Sequence, residues 1–118
     1  MWDDITHFSR DEFVCACCGE EKMDQEFLHK LDDARDLLDI PFVITSGYRC
    51  PAHNSAVSST GETGPHTTGK AADIALEREA ALNALPMLID FFDGIGLNQK
   101  GTGRFIHVDL LGRRLWTY

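Results

Sequence analysis

The sequence predicts an α+β fold, with a small central antiparallel sheet and helices packed on it. Three observations carry the prediction. Residues 23–39 and 77–92 place apolar side chains at helical spacing, four short apolar or β-branched runs lie around the second of these, and no internal repeat or linker divides the chain. At 118 residues, 43% apolar and 25% charged, the chain has the length and composition of one folded domain over residues 1–118.

In the first helix Phe27, Leu28, Leu31, Ala34, Leu37 and Leu38 form the apolar stripe, Asp24 is placed to cap the start, and Pro41 stands just past the end. Asp32, Asp33, Asp36 and Asp39 alternate with that stripe and read as a solvated face. A strand is expected at residues 42–45. Residues 51–69 are rich in Ser, Thr, Gly and His and read as a long loop, which in so small a domain is usually functional or disordered. Residues 71–76 form a buried strand, and Pro86 is expected to kink or shorten the helix at 77–92. Strands at 94–97 and 104–111 complete the sheet. Trp2, Phe8 and Phe13 are expected to pack the N-terminal segment onto the domain, and Trp116 with Tyr118 to close the other end.

Eleven Lys and Arg stand against 19 Asp and Glu, a net charge of −8, which argues against a broad cationic surface for nucleic acid or an anionic membrane. Asp90 and Asp93 interrupt the longest apolar patches, far short of the ~20 consecutive apolar residues a membrane-spanning helix needs. Acidic residues occupy the N-terminal positions where an export signal carries basic charge and then an apolar run. The expectation is a monomer made in the cytoplasm without a signal peptide.

Cys15, Cys17, Cys18 and Cys50 are bunched in a way that suits a disulfide framework poorly. Cys15 and Cys18 have the spacing of half a structural zinc site and Cys50 can supply a third thiolate, but no fourth partner stands out. They are read as reduced thiols, with a second metal or a disulfide to Cys50 as lesser alternatives.

The informative constellation is His66-Thr-Thr-Gly-Lys-Ala-Ala-Asp73 with Phe105-Ile-His107-Val-Asp109. A catalytic zinc site draws three protein ligands from imidazoles and carboxylates and leaves a fourth position to water, and two His with one Asp fit that chemistry. Gly69 can turn the chain so that His66 and Asp73 meet. Asp73 lies in an otherwise apolar strand, where a carboxylate is costly unless paired or metal-bound. On the strand carrying His107, the period of two puts Phe105 and Asp109 on the same face.

These residues carry a resemblance. Ser46-Gly-Tyr-Arg49-Cys-Pro-Ala-His-Asn54, then His66-x-x-Gly69-x-Ala71-x-Asp73-Ile74, then Phe105-Ile-His107-Val-Asp109 resemble, in order and spacing, the zinc D-alanyl-D-alanine carboxypeptidase family of peptidoglycan peptidases, which includes phage endolysins and murein endopeptidases. The likeness covers residues 12–116. It implies one catalytic zinc held by His66, Asp73 and His107, and amide hydrolysis in the stem peptides or crosslinks of the bacterial wall by metal-activated water. Arg49 is similar to an arginine that in relatives lies in the substrate cleft, where a guanidinium binds a carboxylate or steadies an oxyanion.

The sequence departs from some relatives at the general base: a Glu three residues, or a His two residues, before the last ligand is here Arg104 or Phe105. Asp109 is the best local substitute, as base or as a carboxylate orienting an imidazole. His53, Glu62 and Asp93 are lesser candidates. Gly64 stands where some relatives carry Ser, so a substrate-polarising hydroxyl is either missing or supplied by Thr63, Thr67 or Thr68. Two functions are thus in play: a peptidoglycan peptidase of endolysin type, phage or prophage encoded, or a non-catalytic zinc-bearing domain that binds partners, as the hedgehog signalling domain does.

Overall fold

A computed structural model describes residues 2–118. Its helices are α1 (Gln25–Leu38), α2 (Pro51–Val57) and α3 (Arg78–Phe91), and its strands are β1 (Ile44–Ser46), β2 (Ala71–Ile74), β3 (Gly94–Asn98), β4 (Phe105–Asp109) and β5 (Arg114–Thr117). The strands form one sheet in the order β1-β2-β4-β3-β5, so the fold is α+β as expected. Three pairings are antiparallel, but β3 pairs with β5 in parallel. The sheet is therefore mixed: mainly antiparallel, as expected, with one parallel pairing at this edge. A tight turn after β4 would have given an antiparallel neighbour. Instead the chain passes β4 and enters beside β3, with Gly94 opposite Arg114 and Gly96 opposite Trp116.

Helix α1 starts where its cap predicts, with Asp24 accepting from the Phe27 N–H at 3.0 Å. It ends at Asp39, whose left-handed backbone (φ 52°) returns an N–H to the Arg35 carbonyl. Its face is less solvated than the alternation suggested. Asp32 is buried and its carboxylate accepts the Thr6 and His7 N–H groups at 2.9 and 2.8 Å, so it fastens the N-terminal segment. Trp2 and Phe8 pack on Phe13 with ring centroids 5.5 and 5.6 Å apart.

Residues 51–69 are not a plain loop. They hold α2 and two 3-10 turns, Gly61–Thr63 and Pro65–Thr68. The hydroxyl-rich composition serves local bonds: Thr67 and Thr68 donate to the Gly64 and Pro65 carbonyls, each at 2.6 Å. Helix α3 runs unbroken through Pro86, whose missing N–H would have met the carbonyl of Leu82, on the solvent side.

Strand alternation divides the sheet. Ala72, Ile74, Ile95, Ile106 and Val108 enter the apolar core with Phe27, Leu28, Leu31 and Leu88 from α1 and α3. The other residues of β2 and β4, Asp73, His107 and Asp109 among them, share the opposite face, where Asp73 lies directly across from His107.

Candidate metal centre and cleft

Two local features bring His66 to the sheet. The 3-10 turn carrying it ends at Gly69, with φ +77°, a left-handed conformation that costs glycine little. A Cβ at Gly69 would also strike the Lys22 carbonyl. From there β2 places Asp73 beside His66, and pairing with β4 adds His107. The His66 Nε2 lies 3.2 Å and the His107 Nδ1 3.0 Å from Asp73 Oδ1. All three side chains are buried or nearly so, and their donor atoms lie within 4.8 Å of one another.

The outward partners fix the tautomer of neutral His66, whose Nδ1 faces a carbonyl, and favour one for His107, whose nearer carboxylate is Asp109. His66 Nδ1–H donates to the Gly47 carbonyl at 2.8 Å, and His107 Nε2–H donates to Asp109 Oδ2 at 2.7 Å. With each neutral ring's proton turned outward, His66 Nε2, His107 Nδ1 and Asp73 Oδ1 present three converging lone pairs. Acceptors at such distances repel unless a cation or a proton lies between them. A tetrahedral zinc with arms of about 2.0–2.1 Å spaces its donors roughly 3.3 Å apart, close to the separations found, so the residues fit zinc.

The charges are tuned accordingly. These shifts belong to the protein without a metal, where protons on the rings stand in for a cation: burial alone would raise the Asp73 carboxyl, but hydrogen bonds donated by His107 and His66 outweigh it and hold the group well below the usual carboxylate range. Burial opposes protonation of His107, yet bonding to Asp109 and Asp73 leaves its pKa raised. Asp109 is fully buried; burial is again outweighed, by His107 and Arg114, and its pKa falls to about 2. Arg114 grips both its oxygens, Nη1 at 3.0 Å and Nη2 at 2.8 Å, and the Leu111 N–H adds a third donor at 3.0 Å.

Two glycines of β3 make room for this arrangement. Gly94 lies between Asp109 and Arg114, and a Cβ there would collide with both. Gly96 lies between His107 and Trp116, and a Cβ there would come within 2.6 Å of the indole. Across these bare positions the indole reaches His107, centroids 5.0 Å apart, while the Arg114 guanidinium stacks 4.9 Å from the indole centroid. Trp116 therefore braces the candidate metal centre, beyond the end-closing role expected of it.

Above the three ligand-type residues opens a cleft of about 830 Å³. Arg49 and Arg114 line it, with Thr60 and Thr63 on one side and Phe105, Trp116 and Tyr118 among the aromatic and apolar surfaces. Asp73 is the one carboxylate among the described lining residues. Asp109, His53, Glu62 and Asp93 do not line it, so none of the sequence candidates for a base faces the cleft. Thr63 does, whereas Thr67 and Thr68 spend their hydroxyls on the backbone.

Arg49 is held in place. Its N–H bonds the His66 carbonyl at 3.1 Å, its Nη2 stands 3.7 Å from Asp73 Oδ2, and its Nη1 donates to Asn54 Oδ1 at 3.1 Å. Asn54 is fully buried and donates in turn to Thr60 Oγ1 at 2.8 Å. Sequence reasoning assigned Asn54 no role. The available signal was its place five residues after Arg49, with Pro51 starting a helical turn between them.

Comparison with protein families matches residues 6–109, nearly the whole chain, to Peptidase M15. The chain belongs to the peptidase M15 family. No curated protein matches it. Peptidases of the M15 family are zinc-dependent, and this M15 chain gathers two groups of metal-binding residue types, His66 with Asp73 and His107, and the four cysteines. M15 membership makes a peptide the substrate class. No helix among the described residues is long and apolar enough to cross a membrane.

Proposed function

We propose that this M15 peptidase hydrolyses an amide bond in the stem peptides or crosslinks of bacterial peptidoglycan, as an endolysin-like carboxypeptidase or endopeptidase. The observation that carries the reading is the convergence of three ligand-type atoms, from His66, Asp73 and His107, at an open cleft lined also by Arg49 and Arg114. On a chain of net charge −8, the cleft lining has two guanidiniums and one carboxylate; Asp109 neutralises Arg114, so Arg49 is the cation that attracts an anionic ligand. Stem peptides carry free carboxylates, which suits it.

In this reading His66 Nε2, His107 Nδ1 and Asp73 hold one zinc ion, which when bound polarises the scissile carbonyl and acidifies a water. The Gly47 carbonyl and Asp109 fix the two rings by accepting their outer protons. Asp109, with both oxygens engaged and no exposure to the cleft, serves as this orienting carboxylate rather than as the base. Arg49, pinned by Asn54, offers its guanidinium to a substrate carboxylate or to the oxygen on which charge develops. The chain acts on the wall as a monomer of phage or prophage type.

The scarcity of a free base in the cleft favours a second reading, a zinc-bearing domain that binds without cleaving. Mass spectrometry of soluble fragments from purified peptidoglycan, with and without chelator, separates them. Chelator-sensitive release of peptides with one defined new terminus is expected. Zinc-loaded protein that binds peptidoglycan and releases nothing would overturn catalysis in favour of the second reading.

A further inference from the structure

The four cysteines converge although nothing in the proposed catalysis uses them. Cys15, Cys17 and Cys18 come from the segment after the first turns, and Cys50 from the residue following Arg49; in space their four sulfurs lie within 4.8 Å of one another. Cys17 Sγ is 3.3 Å from Cys50 Sγ and 3.7 Å from Cys15 Sγ, and all four are free. These are not disulfide lengths, which are about 2.05 Å. They are the spacings of a metal tetrahedron, in which zinc–sulfur arms of about 2.3 Å put sulfurs roughly 3.8 Å apart.

The surrounding backbone is built for thiolates. The Cys50 N–H points at Cys15 Sγ (3.3 Å) and the His53 N–H at Cys50 Sγ (3.4 Å), donors that favour charged sulfur. Residues 15–20 close a tight knuckle: the Gly19 N–H bonds the Cys15 carbonyl at 2.8 Å, the Cys15 N–H bonds the Glu20 carbonyl at 2.7 Å, and Gly19 takes φ +73°. That loop turns Cys15, Cys17 and Cys18 toward one point. Thiols are weak donors and weak acceptors, so four of them gain little from meeting at a partly exposed surface. Four sulfurs around a soft cation gain a great deal.

We propose that Cys15, Cys17, Cys18 and Cys50 form a structural zinc centre, closed by four thiolates and separate from the His66–Asp73–His107 group. It clamps the N-terminal knuckle to the residue that caps α2, and so steadies the turn presenting Arg49 and Asn54. Both segments are short and the domain is small, the setting in which a metal substitutes for core. The centre has no position open to substrate, because four protein ligands fill a tetrahedron.

The test is metal counting on the full chain, purified with reductant and saturated with zinc alone. Two zinc ions per chain are expected, falling to one in His66→Ala and to one in the double variant Cys17→Ser, Cys50→Ser. Cobalt substitution should give a sulfur-to-metal charge-transfer band that survives His66→Ala and vanishes in the cysteine variant. Alkylation of the unaltered chain needs no variant: Cys17 and Cys18, though exposed, should resist iodoacetamide until a chelator is added. One zinc per chain lost with His66→Ala, immediate alkylation of Cys17 and Cys18, or a Cys17–Cys50 disulfide in the folded protein would each overturn the proposal. None of these results touches the peptidase reading, which stands or falls on the His66 ion and fragment release.

Discussion

Replacing Asp109 with Asn separates an orienting carboxylate from a reacting one. The side chain is fully buried and accepts from His107 Nε2, both Arg114 Nη atoms and the Leu111 N–H. Asn keeps the shape but turns one acceptor into a donor, which then faces either the imidazole N–H or the guanidinium. The lowering of the Asp109 pKa from 3.8 to about 2 is what remains after burial is set against these partners, a net preference for the charged form of about 2 kcal/mol at ~1.4 kcal/mol per unit. Loss of a carboxylate behind a ligating imidazole typically weakens a metal 10–100-fold, or about 1.4–2.7 kcal/mol, the same size. Zinc affinity, measured by competition with a chromophoric chelator, should therefore fall about 10–100-fold in Asp109→Asn, and turnover at saturating zinc should fall by no more than that. If zinc affinity stays within about twofold of the parent while turnover at saturating zinc drops more than about a thousandfold, Asp109 is the general base and the assignment here is wrong.

Three other outcomes are expected. Gly96→Ala pushes the indole of Trp116 off His107; it should cost about 1–3 kcal/mol in denaturant unfolding and alter the tryptophan near-ultraviolet signal, and an unchanged signal would show that the bare strand position is unimportant. Asn54→Leu leaves the Arg49 guanidinium and the Gly61 carbonyl without their partner; a loss of about 1–3 kcal/mol and reduced turnover with unchanged zinc binding are expected, and full turnover would remove Asn54 from the positioning of Arg49. In metal-free protein the folded pKa of Asp109, about 2, lies below its unfolded value of about 3.9, so its contribution is complete above about pH 5 and fades as pH falls toward 2. Acid titration of stability should lose about 2 kcal/mol more over that range in the parent than in Asp109→Asn, and parallel curves would refute the coupling.

The parts of this protein legible in its sequence are those where one local rule decides. Asp24 capping α1 and the apolar stripe from Phe27 to Leu31 are such cases, because helical spacing and a single cap fix them. Asp73 stood out because a carboxylate in an apolar strand needs a cationic or donor partner. What stayed hidden depends on residues far apart in sequence. Nothing local tells that residues 114–117 run parallel to β3, so Trp116 could not be placed over Gly96, nor Arg114 beside Asp109. Asp32 looked solvated because its partners, the Thr6 and His7 N–H groups, lie 26 and 25 residues away. The loop at 51–69 was misjudged for another reason: Ser, Thr and Gly bonding their own backbone give turns with little apolar periodicity.

The pairing of β2 with β4 also bears on how the molecule is made. His107 and Asp73 are 34 residues apart, and the intervening chain contains α3 and β3. Closing so long a loop has an entropic cost that contacts local to α3 do not require, so the strand register that unites the donors is expected to form after the helix. A chain still collapsing offers isolated imidazoles, and an ion finds a three-donor pocket only after β2 and β4 have met. Under the proposed zinc binding, metal uptake would act as a latch on the finished fold: at a hundred times its dissociation constant, zinc would stabilise the native state by about 2.7 kcal/mol. The free zinc around the protein would then set how long the native fold persists.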